Sequence, residues 1–401
     1  MRAVRWWPQK RTATITTTIT TEAPPVSGGS APPDGRPPDP RAVSDRKART
    51  RPVVAVDANG ADMGPAEVAA GAALAAEQGV RVLLFGPAEE METHPPLGPY
   101  VEVIDAPVSV AKSPDPARAV RSTPEASIVQ AAKAVAEDRA QALVCAGGTG
   151  AVLAAGLFNI KRARGIHRPA LALPIPIPGH HPPRRVTLLD VGASDQARSE
   201  HLVQFAFMGV AFATAVLGIE DPRVGLLSNG EERERGSELV LAAGAALREC
   251  ASGGGLRFVG NVEGGDIVGG AADVIVTDGF TGNIALKLME GVSQTMLGAV
   301  RDAAGSSPRG KLGGMLLRPS LRELRDEIDP EGQGGAYLLG LRRLAVVPHG
   351  RFGRRGFAQA IVRAERGARE DVVGATRAAL RDAGALRTAP VSADPASLAG
   401  E

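Results

Sequence analysis

Short apolar runs alternate with helical patterns along most of the chain, from Val53 to about residue 385. Most of the apolar runs end in Gly, Asp or Pro, and Ala-rich stretches with helical spacing, such as 65–79 and 125–138, lie between them. Continuous apolar strands that alternate with helices are typical of a mostly parallel sheet with helices on both faces. The pattern therefore predicts a Rossmann-like α/β/α fold, with strands in 53–57, 80–86, 101–106, 142–148, 186–192, 223–230, 273–279 and 344–348.

The last third of the chain is predicted to be mainly helical. Residues 291–328 show a helix, a Gly/Ser-rich turn and a second helix, and we expect a helical hairpin with Met315–Leu317 at its tip. Residues 356–385 have the pattern of one long Arg/Ala-rich helix. Together with the alternating part, these segments predict one domain over residues 53–387 with a hairpin extension.

The two ends of the chain have a different composition. Residues 1–52 combine a Thr-rich stretch (12–21) with a Pro/Gly/Ser-rich one (23–40), and such sequences bury too little apolar surface to offset their ordering entropy. We expect residues 1–52 and 388–401 to be disordered. No apolar region of signal-peptide length follows the first basic residues, so secretion is not predicted.

Charge and composition exclude several classes of protein. Ten of the 46 basic and four of the 44 acidic residues lie in 1–52, which leaves 36 basic and 40 acidic residues in the rest of the chain. This mildly acidic body, with only two Trp and two Tyr in the whole chain, does not suggest a nucleic-acid partner. Two Cys exclude a disulfide scaffold.

Gly, Asp and hydroxyl residues follow four of the predicted strands. In open α/β sheets, ligands bind beyond the carboxyl ends of the strands, where Gly residues and helix N-termini suit an anion. These loops predict a phosphate-bearing ligand, although ordinary strand–helix turns use the same residue types. The candidates are Asp57, Asn59, Gly60 and Asp62; Gly147, Gly148, Thr149 and Gly150; Asp190, Gly192 and Ser194; and Asp278, Gly279, Thr281 and Gly282.

Other candidates stand outside these loops. Arg121 precedes a helix and suits an anion, His349 follows a strand, and Asn261 with Glu263 follows another strand, where a turn is equally compatible. The sequence has no P-loop and no nucleophile elbow, and its GGTG run lacks the third glycine of a dinucleotide fingerprint. The adjacent His180 and His181 lack metal-ligand spacing, so neither a metal nor a cofactor is predicted.

At these loops the chain resembles the bacterial PlsX-type phosphate acyltransferases over about residues 53–385. Two long runs, HLVQFAFMG (201–209) and VTDGFTGNIALKLMEG (276–291), are the most specific. Other matching runs are AVDANGAD (55–62), CAGGTGA (145–151), GIHRPAL (165–171), LLDVGAS (188–194), PRVGLLSNGEERERGSEL (222–239), FVGNVEG (258–264) and GGAYLLGL (334–341). The resemblance also implies an isopropylmalate-dehydrogenase-like variant of the predicted fold.

The activity that the resemblance implies is transfer of a fatty acyl group from acyl-acyl carrier protein to inorganic phosphate, without a cofactor, for phospholipid synthesis. We expect Lys287 and the amides of the Gly147–Gly150 and Gly279–Gly282 loops to hold phosphate, Asn283 and Asn261 to donate to an oxyanion, and His349 to orient phosphate or transfer a proton. The resemblance further implies a cytoplasmic homodimer. It also suggests weak peripheral contact with the inner face of the membrane, where the product would pass to an acylphosphate:glycerol-phosphate acyltransferase.

The chain departs from the family pattern in three of the ligand loops, at Asn59, Gly148 and Ser194. At the last two positions the family usually carries Asn. These changes keep a second hypothesis open, a catalytically weakened paralogue that binds acyl carrier protein. A third is an isopropylmalate-dehydrogenase-like oxidoreductase, against which the incomplete dinucleotide fingerprint speaks.

Overall fold

One mixed sheet forms the centre of the protein in a computed structural model, which describes residues 51–92, 97–180 and 184–386. Both predicted disordered ends lie outside these residues, apart from 51 and 52. The sheet order is β3-β2-β1-β4-β11-β10-β5-β6-β9-β7-β8. In the described residues its strands are β1 (Val53–Asp57), β2 (Arg81–Gly86), β3 (Val101–Asp105), β4 (Ala142–Cys145), β5 (Ala170–Ile177), β6 (Arg184–Leu189), β7 (Arg223–Leu227), β8 (Arg257–Val262), β9 (Val274–Val276), β10 (Ala336–Leu339) and β11 (Leu344–Val347).

Helices cover both faces of this sheet, as predicted. The described ones are α1 (Pro65–Glu77), α2 (Pro116–Ser122), α3 (Ser127–Ala136), α4 (Thr149–Ala155, continued by a π-turn over Gly156–Ile160), α5 (Ser199–Leu217), α6 (Glu238–Ser252), α7 (Asp266–Gly269), α8 (Gly279–Gly305), α9 (Pro308–Ile328), α10 (Pro330–Gln333), α11 (Arg354–Arg369) and α12 (Val372–Asp382). One core, with α1, α5, α6, α11 and α12, lies on one face. The other face packs against α3, α4, α7 and the start of α8.

The two halves of the sheet run in opposite directions. Strands β3, β2, β1, β4 and β11 are parallel to one another, and β6, β9, β7 and β8 form a second parallel group. Between them, β10 and β5 make three successive antiparallel pairings, which reverse the second group relative to the first. The carboxyl ends of the two groups therefore lie at opposite edges of the sheet.

The helical predictions for the last third need two corrections. The hairpin consists of α8 and α9, but its turn lies at Ser306 and Ser307, so Met315–Leu317 sit within α9 rather than at the tip. The predicted single helix over 356–385 is two helices, because Asp371 adopts a left-handed backbone (φ 48°) and its side chain caps the second helix by accepting from Gly374 N. No Gly or Pro stands between Arg369 and Val372 to reveal that break.

Helix α5 is apolar enough, by length and composition, to cross a membrane, and no other helix among the described residues passes the same test. Two thirds of it is buried inside the protein, including Phe205, Met208 and Phe212. It therefore serves as the central helix of one core.

Candidate active site

The predicted phosphate loops do not all meet at one edge. The loops after β1 and β4, and His349 after β11, lie at the edge formed by the first strand group. The loops after β6, β8 and β9 lie at the opposite edge, because the second group is reversed. Helix α8 carries Asn283 and Lys287 from that opposite edge into a cavity shared with Thr149 and His349.

This cavity has a volume of about 1000 Å³ and is mostly apolar. Four of the predicted site residues line it: Thr149, Asn283, Lys287 and His349. Other lining residues come from β5, α7, α8, α9, α10, β10 and β11, with apolar side chains that include Leu171, Leu173, Ile175, Leu286, Met289 and Val347. The cavity thus combines a mostly apolar surface with polar and charged side chains, among them Lys287, Arg325 and Arg351 and the acidic Glu290, Asp329 and Glu331.

The N-terminus of α4 offers unpaired amides close to these groups. Helix starts leave their first N–H groups without intrahelical acceptors. In the described part of the chain, the N–H groups of Gly148, Thr149 and Gly150 have no acceptor, and Gly148 gives no side-chain cap. Three free N–H groups at the positive end of the helix dipole form an arrangement that favours an anion.

Asp57 and Asn59 hold the first loop from beneath. The buried Asp57 carboxylate accepts from Ser127 Oγ (2.6 Å), Cys145 Sγ (3.0 Å) and the Asn59 N–H (3.2 Å). Burial raises the pKa of Asp57 to about 6, against the lowering effect of these hydrogen bonds, and burial also raises the pKa of the Cys145 thiol. The Asn59 amide donates to Ser127 Oγ and to Ala106 O, so both of its N–H groups are used inside the protein.

Gly60 is required by close packing of two loops. Its φ is +100°, and a Cβ there would lie 2.5 Å from Ala111 Cβ and 2.9 Å from Gly147 Cα. No larger residue fits without moving the backbone. The loop after β1 is therefore locked against the start of the α4 loop, and Asp62 N–H extends the contact by donating to Gly350 O (2.9 Å).

His349 stands among four charged groups at the cavity wall. Partial burial and the Arg351 and Lys287 charges lower its pKa, while Glu290 and Asp62 act in the opposite direction. Its Nδ1 accepts from the Arg351 N–H (3.2 Å), so the neutral ring carries its proton on Nε2. His349 is thus arranged as a neutral donor rather than as a cation at neutral pH.

Lys287 extends from the third turn of α8 and is exposed. Within the described residues, no carboxylate forms an ion pair with it. Its charge remains available to a ligand in the cavity.

The loops at the start of α8 are internally satisfied, in contrast to the α4 loop. Gly279 N–H donates to Ser194 O (2.9 Å), and Thr281 donates to Asp278 through both N–H (2.9 Å) and hydroxyl (2.7 Å). Asp190 is buried and accepts from Ala193 N–H and from the Ser194 hydroxyl. These hydrogen bonds fix the first turn of α8 next to Asn283. The Asn283 side chain lies 3.8 Å from the point where a Cβ would stand at Gly192. They leave little for a phosphate to bind.

Three predicted residues lie away from the cavity. Asn261 is on β8, the outermost strand, and its amide donates to Glu232 O and Arg235 O, so it braces a neighbouring loop. Glu263 is exposed beyond the same strand. Arg121 lies over the Phe158 ring, with Cζ 5.5 Å from its centroid. A polar residue after a strand did not predict this site correctly. Strand β8 is the last strand in the sheet order, far from β4, and it belongs to the reversed half of the sheet.

A family model described as "Fatty acid synthesis protein" matches residues 53–374. A phosphate acyltransferase from Anoxybacillus flavithermus is 41% identical over 323 residues, covering 80% of this chain and 94% of that protein. One from Levilactobacillus brevis is 41% identical over 300 residues, covering 74% and 86%. The chain belongs to the phosphate acyltransferase family. The resemblance drawn from the loop motifs is thereby confirmed, and the protein is an acyltransferase of fatty acid and phospholipid synthesis.

Solved structures agree with the predicted α/β class of this phosphate acyltransferase family member. The EutD phosphotransacetylase from Staphylococcus aureus has a TM-score of 0.52 at 18% identity, covering 79% of this chain and 94% of that one. A phosphotransacetylase from Streptococcus pyogenes has a TM-score of 0.54 at 16% identity, covering 82% and 98%. At such identities the likeness concerns the fold alone.

The HLVQFAFMG run, so specific for the family, has a structural role in this chain. His201 Nδ1 accepts from the Arg198 N–H at the start of α5, and Gln204 bonds Gly165 O, Ala385 O and the His167 N–H. His167, Glu200 and His201 also cluster closely enough to suggest a metal site. However, the capping bond occupies His201 Nδ1 and leaves the proton on Nε2, and burial with the nearby Arg168 lowers the pKa of His201 to about 4. This cluster joins the 162–168 loop and the C-terminal segment to α5.

Proposed function

We propose that this protein transfers a fatty acyl group from acyl-acyl carrier protein to inorganic phosphate, giving acyl-phosphate for phosphatidic acid and phospholipid synthesis. The observation that carries the proposal is the cavity in which an apolar wall meets Lys287, Thr149 and His349. An acyl chain needs the apolar part, and phosphate needs the cationic part. A thioester whose chain lies along Leu173 and Met289 would present its carbonyl to a phosphate beside Lys287.

The phosphate site that we propose combines the free N–H groups of Gly148, Thr149 and Gly150 with the Lys287 ammonium. Amides at a helix start and a nearby cation are the usual recognition elements for phosphate. His349 Nε2–H would orient a phosphate oxygen. Because the N–H groups of Gly279, Thr281 and Gly282 already have protein acceptors, we place phosphate at the α4 start and not at the α8 start.

In the proposed step, a phosphate oxygen attacks the thioester carbonyl carbon. The new C–O bond forms as the C–S bond breaks, and the electron pair leaves with the thiolate, which takes a proton from solvent. Asn283, next to the cavity, would donate to the oxyanion that develops on the carbonyl oxygen. Phosphate is already a competent nucleophile, so the protein contributes position and charge stabilisation. Cys145 is fully buried against Asp57 and is not placed to act as a covalent nucleophile.

For the carrier protein we propose a basic docking surface along α9 and the loop after β11. Acyl carrier proteins are acidic, and complementary charge guides such encounters. Helix α9 has no fully buried residue, and its C-terminal end reaches the cavity, which Arg325 lines together with Arg351 of the loop after β11. The proposed surface comprises Arg309, Lys311, Arg318, Arg322, Arg325 and Arg351.

The homodimer and the membrane contact are proposed on the apolar surface of the hairpin. An exposed apolar ridge follows α8 at four-residue steps, and ridges of this spacing pack against the grooves of another helix. We propose that the protein is cytoplasmic and that a second copy covers this ridge. We also propose that Met315–Leu317 on α9 make weak contact with the inner face of the membrane. The ridge comprises Phe280, Ile284, Leu288, Val292, Met296 and Val300.

The test is an assay of purified protein with palmitoyl-acyl carrier protein at varied phosphate concentration. The proposal predicts loss of the acyl carrier thioester that saturates with phosphate and is absent with sulfate. Binding of acyl carrier protein without phosphate-dependent turnover would instead support the weakened paralogue, which the changed residue Gly148 keeps open.

A further inference from the structure

Strand β5 has an unpaired edge that opens into the active-site cavity. Its first residues pair with β10 on one side, but the pairing stops at Ala172 opposite Tyr337. Strand β10 begins at Ala336, because Gly334 and Gly335 turn away with φ of 71° and 103°. The pairing of β5 with β6 on the other side continues to Ile177. Residues 174–177 therefore have a neighbour on one side only.

The backbone groups at this edge belong to two prolines. In an antiparallel strand, successive residues point their N–H and C=O groups to alternate sides. Leu171 O accepts from Asp190 N–H on the β6 side, so Leu173 and Ile175 also face β6, whereas Pro174 and Pro176 face the open edge. Proline has no N–H, so this edge offers acceptors without donors.

The two carbonyl oxygens lack partners inside the protein. Among the described residues, no backbone or side-chain group donates to the carbonyl of Pro174 or Pro176. Pro174 is buried, and both prolines line the cavity that also contains Lys287. A buried carbonyl without a donor is costly, so this edge suits a ligand that brings N–H groups.

We propose that the Pro174–Pro176 edge binds the amide-containing pantetheine arm that carries the acyl thioester. This inference rests on the proposed function, because the arm must enter the cavity to bring its thioester to phosphate. The arm has two secondary amides, and their N–H groups match an edge that contains only acceptors. The prolines also prevent another strand from pairing there, since such pairing needs N–H donors from both chains.

The experiment compares two palmitoyl thioester donors on the unmodified protein, palmitoyl-pantetheine and its analogue with both amides N-methylated. Each lost hydrogen bond is expected to lower kcat/KM by about 2- to 12-fold, mainly through KM. Equal kcat/KM for the two donors would overturn the proposal, while phosphate-dependent turnover of both would leave the proposed function intact.

A second readout does not depend on turnover. In a Pro176→Cys variant, S-methylpantetheine, whose capped sulfur does not consume maleimide, is expected to slow maleimide labelling of the new thiol, read by peptide mass spectrometry, and its N-methylated analogue is not. A Ser252→Cys variant, on the exposed end of α6, is the control whose labelling stays unchanged. If neither donor turns over, the proposed function fails, and the labelling experiment by itself tests the binding site. Slower labelling in the presence of the arm would still support the Pro174–Pro176 edge as its site, and equal labelling with and without the arm would reject it.

Discussion

Replacing Lys287 by Ala is the sharpest single perturbation of the proposed phosphate site. The side chain is exposed, lines the cavity and has no ion-pair partner among the described residues. Its loss therefore leaves no buried group unpaired, and the free energy of unfolding should change by no more than about 0.5 kcal/mol. The effect on a bound phosphate should be much larger.

The expected size follows from the type of interaction. A hydrogen bond to a charged group contributes about 1.5–3 kcal/mol, so the KM for phosphate should rise by about 12- to 140-fold. The pKa of His349 should also rise, because the Lys287 charge is one of the groups that lower it. Steady-state rates at varied phosphate measure the first effect, and the pH dependence of kcat/KM measures the second.

Two controls separate charge at the site from charge in general. Lys133→Ala removes an exposed cation from α3, outside both the cavity lining and the proposed docking surface, and should leave the KM for phosphate unchanged. Lys287→Arg keeps the charge and should recover part of the loss. An unchanged KM for phosphate in a folded, active Lys287→Ala protein would refute the reasoning and make Lys287 an ordinary surface charge.

Three further substitutions test other parts of the structure. Gly60→Ala should destabilise the protein by about 1–3 kcal/mol through its positive φ and its contact with Ala111, and an unchanged melting temperature would contradict that packing. Gly148→Asn should fold, because φ is −62° there, and should raise phosphate-dependent turnover by up to about tenfold; a folded variant without any gain would reject the weakened-transferase hypothesis. Asp273→Asn should cost about 2 kcal/mol at pH 7, because Arg223 and Arg184 outweigh the effect of burial and lower the pKa of Asp273 to about 2. The stabilisation from a lowered pKa is present above the unfolded value of 3.8 and is lost as the pH falls towards the folded value of about 2. The difference in the free energy of unfolding between wild type and variant, measured by chemical denaturation, should therefore close over this range, and a difference that persists at pH 2 would refute this origin.

Repeated local patterns made the α/β class predictable from the sequence. Apolar runs such as Val53–Asp57 and Arg223–Leu227 form buried strands, and the Ala-rich stretches between the predicted strands form covering helices. Strand β5 was missed because its two prolines, Pro174 and Pro176, with Pro178 just beyond its end, are atypical of strands. The strand forms because the backbone groups of its odd-numbered residues hydrogen-bond with β6. Its two prolines face the other edge, where no backbone N–H has to donate.

The sequence predicted which types of residue form the site, but not which of the candidates lie together in space. Lys287, Asn283, Thr149 and His349 do line one cavity, whereas Asn261 belongs to a distant strand. The reversal of half the sheet depends on β5 and β10, two strands that the pattern did not reveal. Without that reversal, every polar strand end is an equal candidate for the site.

The buried supports of the loops were equally hidden in the sequence. Ser194 was a candidate ligand, yet its hydroxyl is buried and donates to Asp190, so it supports the loop after β6. Nothing in the local sequence distinguishes such a support from a residue that faces the ligand. Only the packing of the α8 start against the β6 loop decides it.

The central claim is that one cavity joins a fatty acyl thioester to phosphate, and transfer of isotope from [32P]phosphate into a solvent-extractable acyl phosphate tests it most directly. With palmitoyl-acyl carrier protein, the purified protein should form labelled acyl phosphate in proportion to the thiol released, and Lys287→Ala should do so only at much higher phosphate. Release of thiol without label in the extract would mean hydrolysis rather than acyl transfer, and would contradict the account.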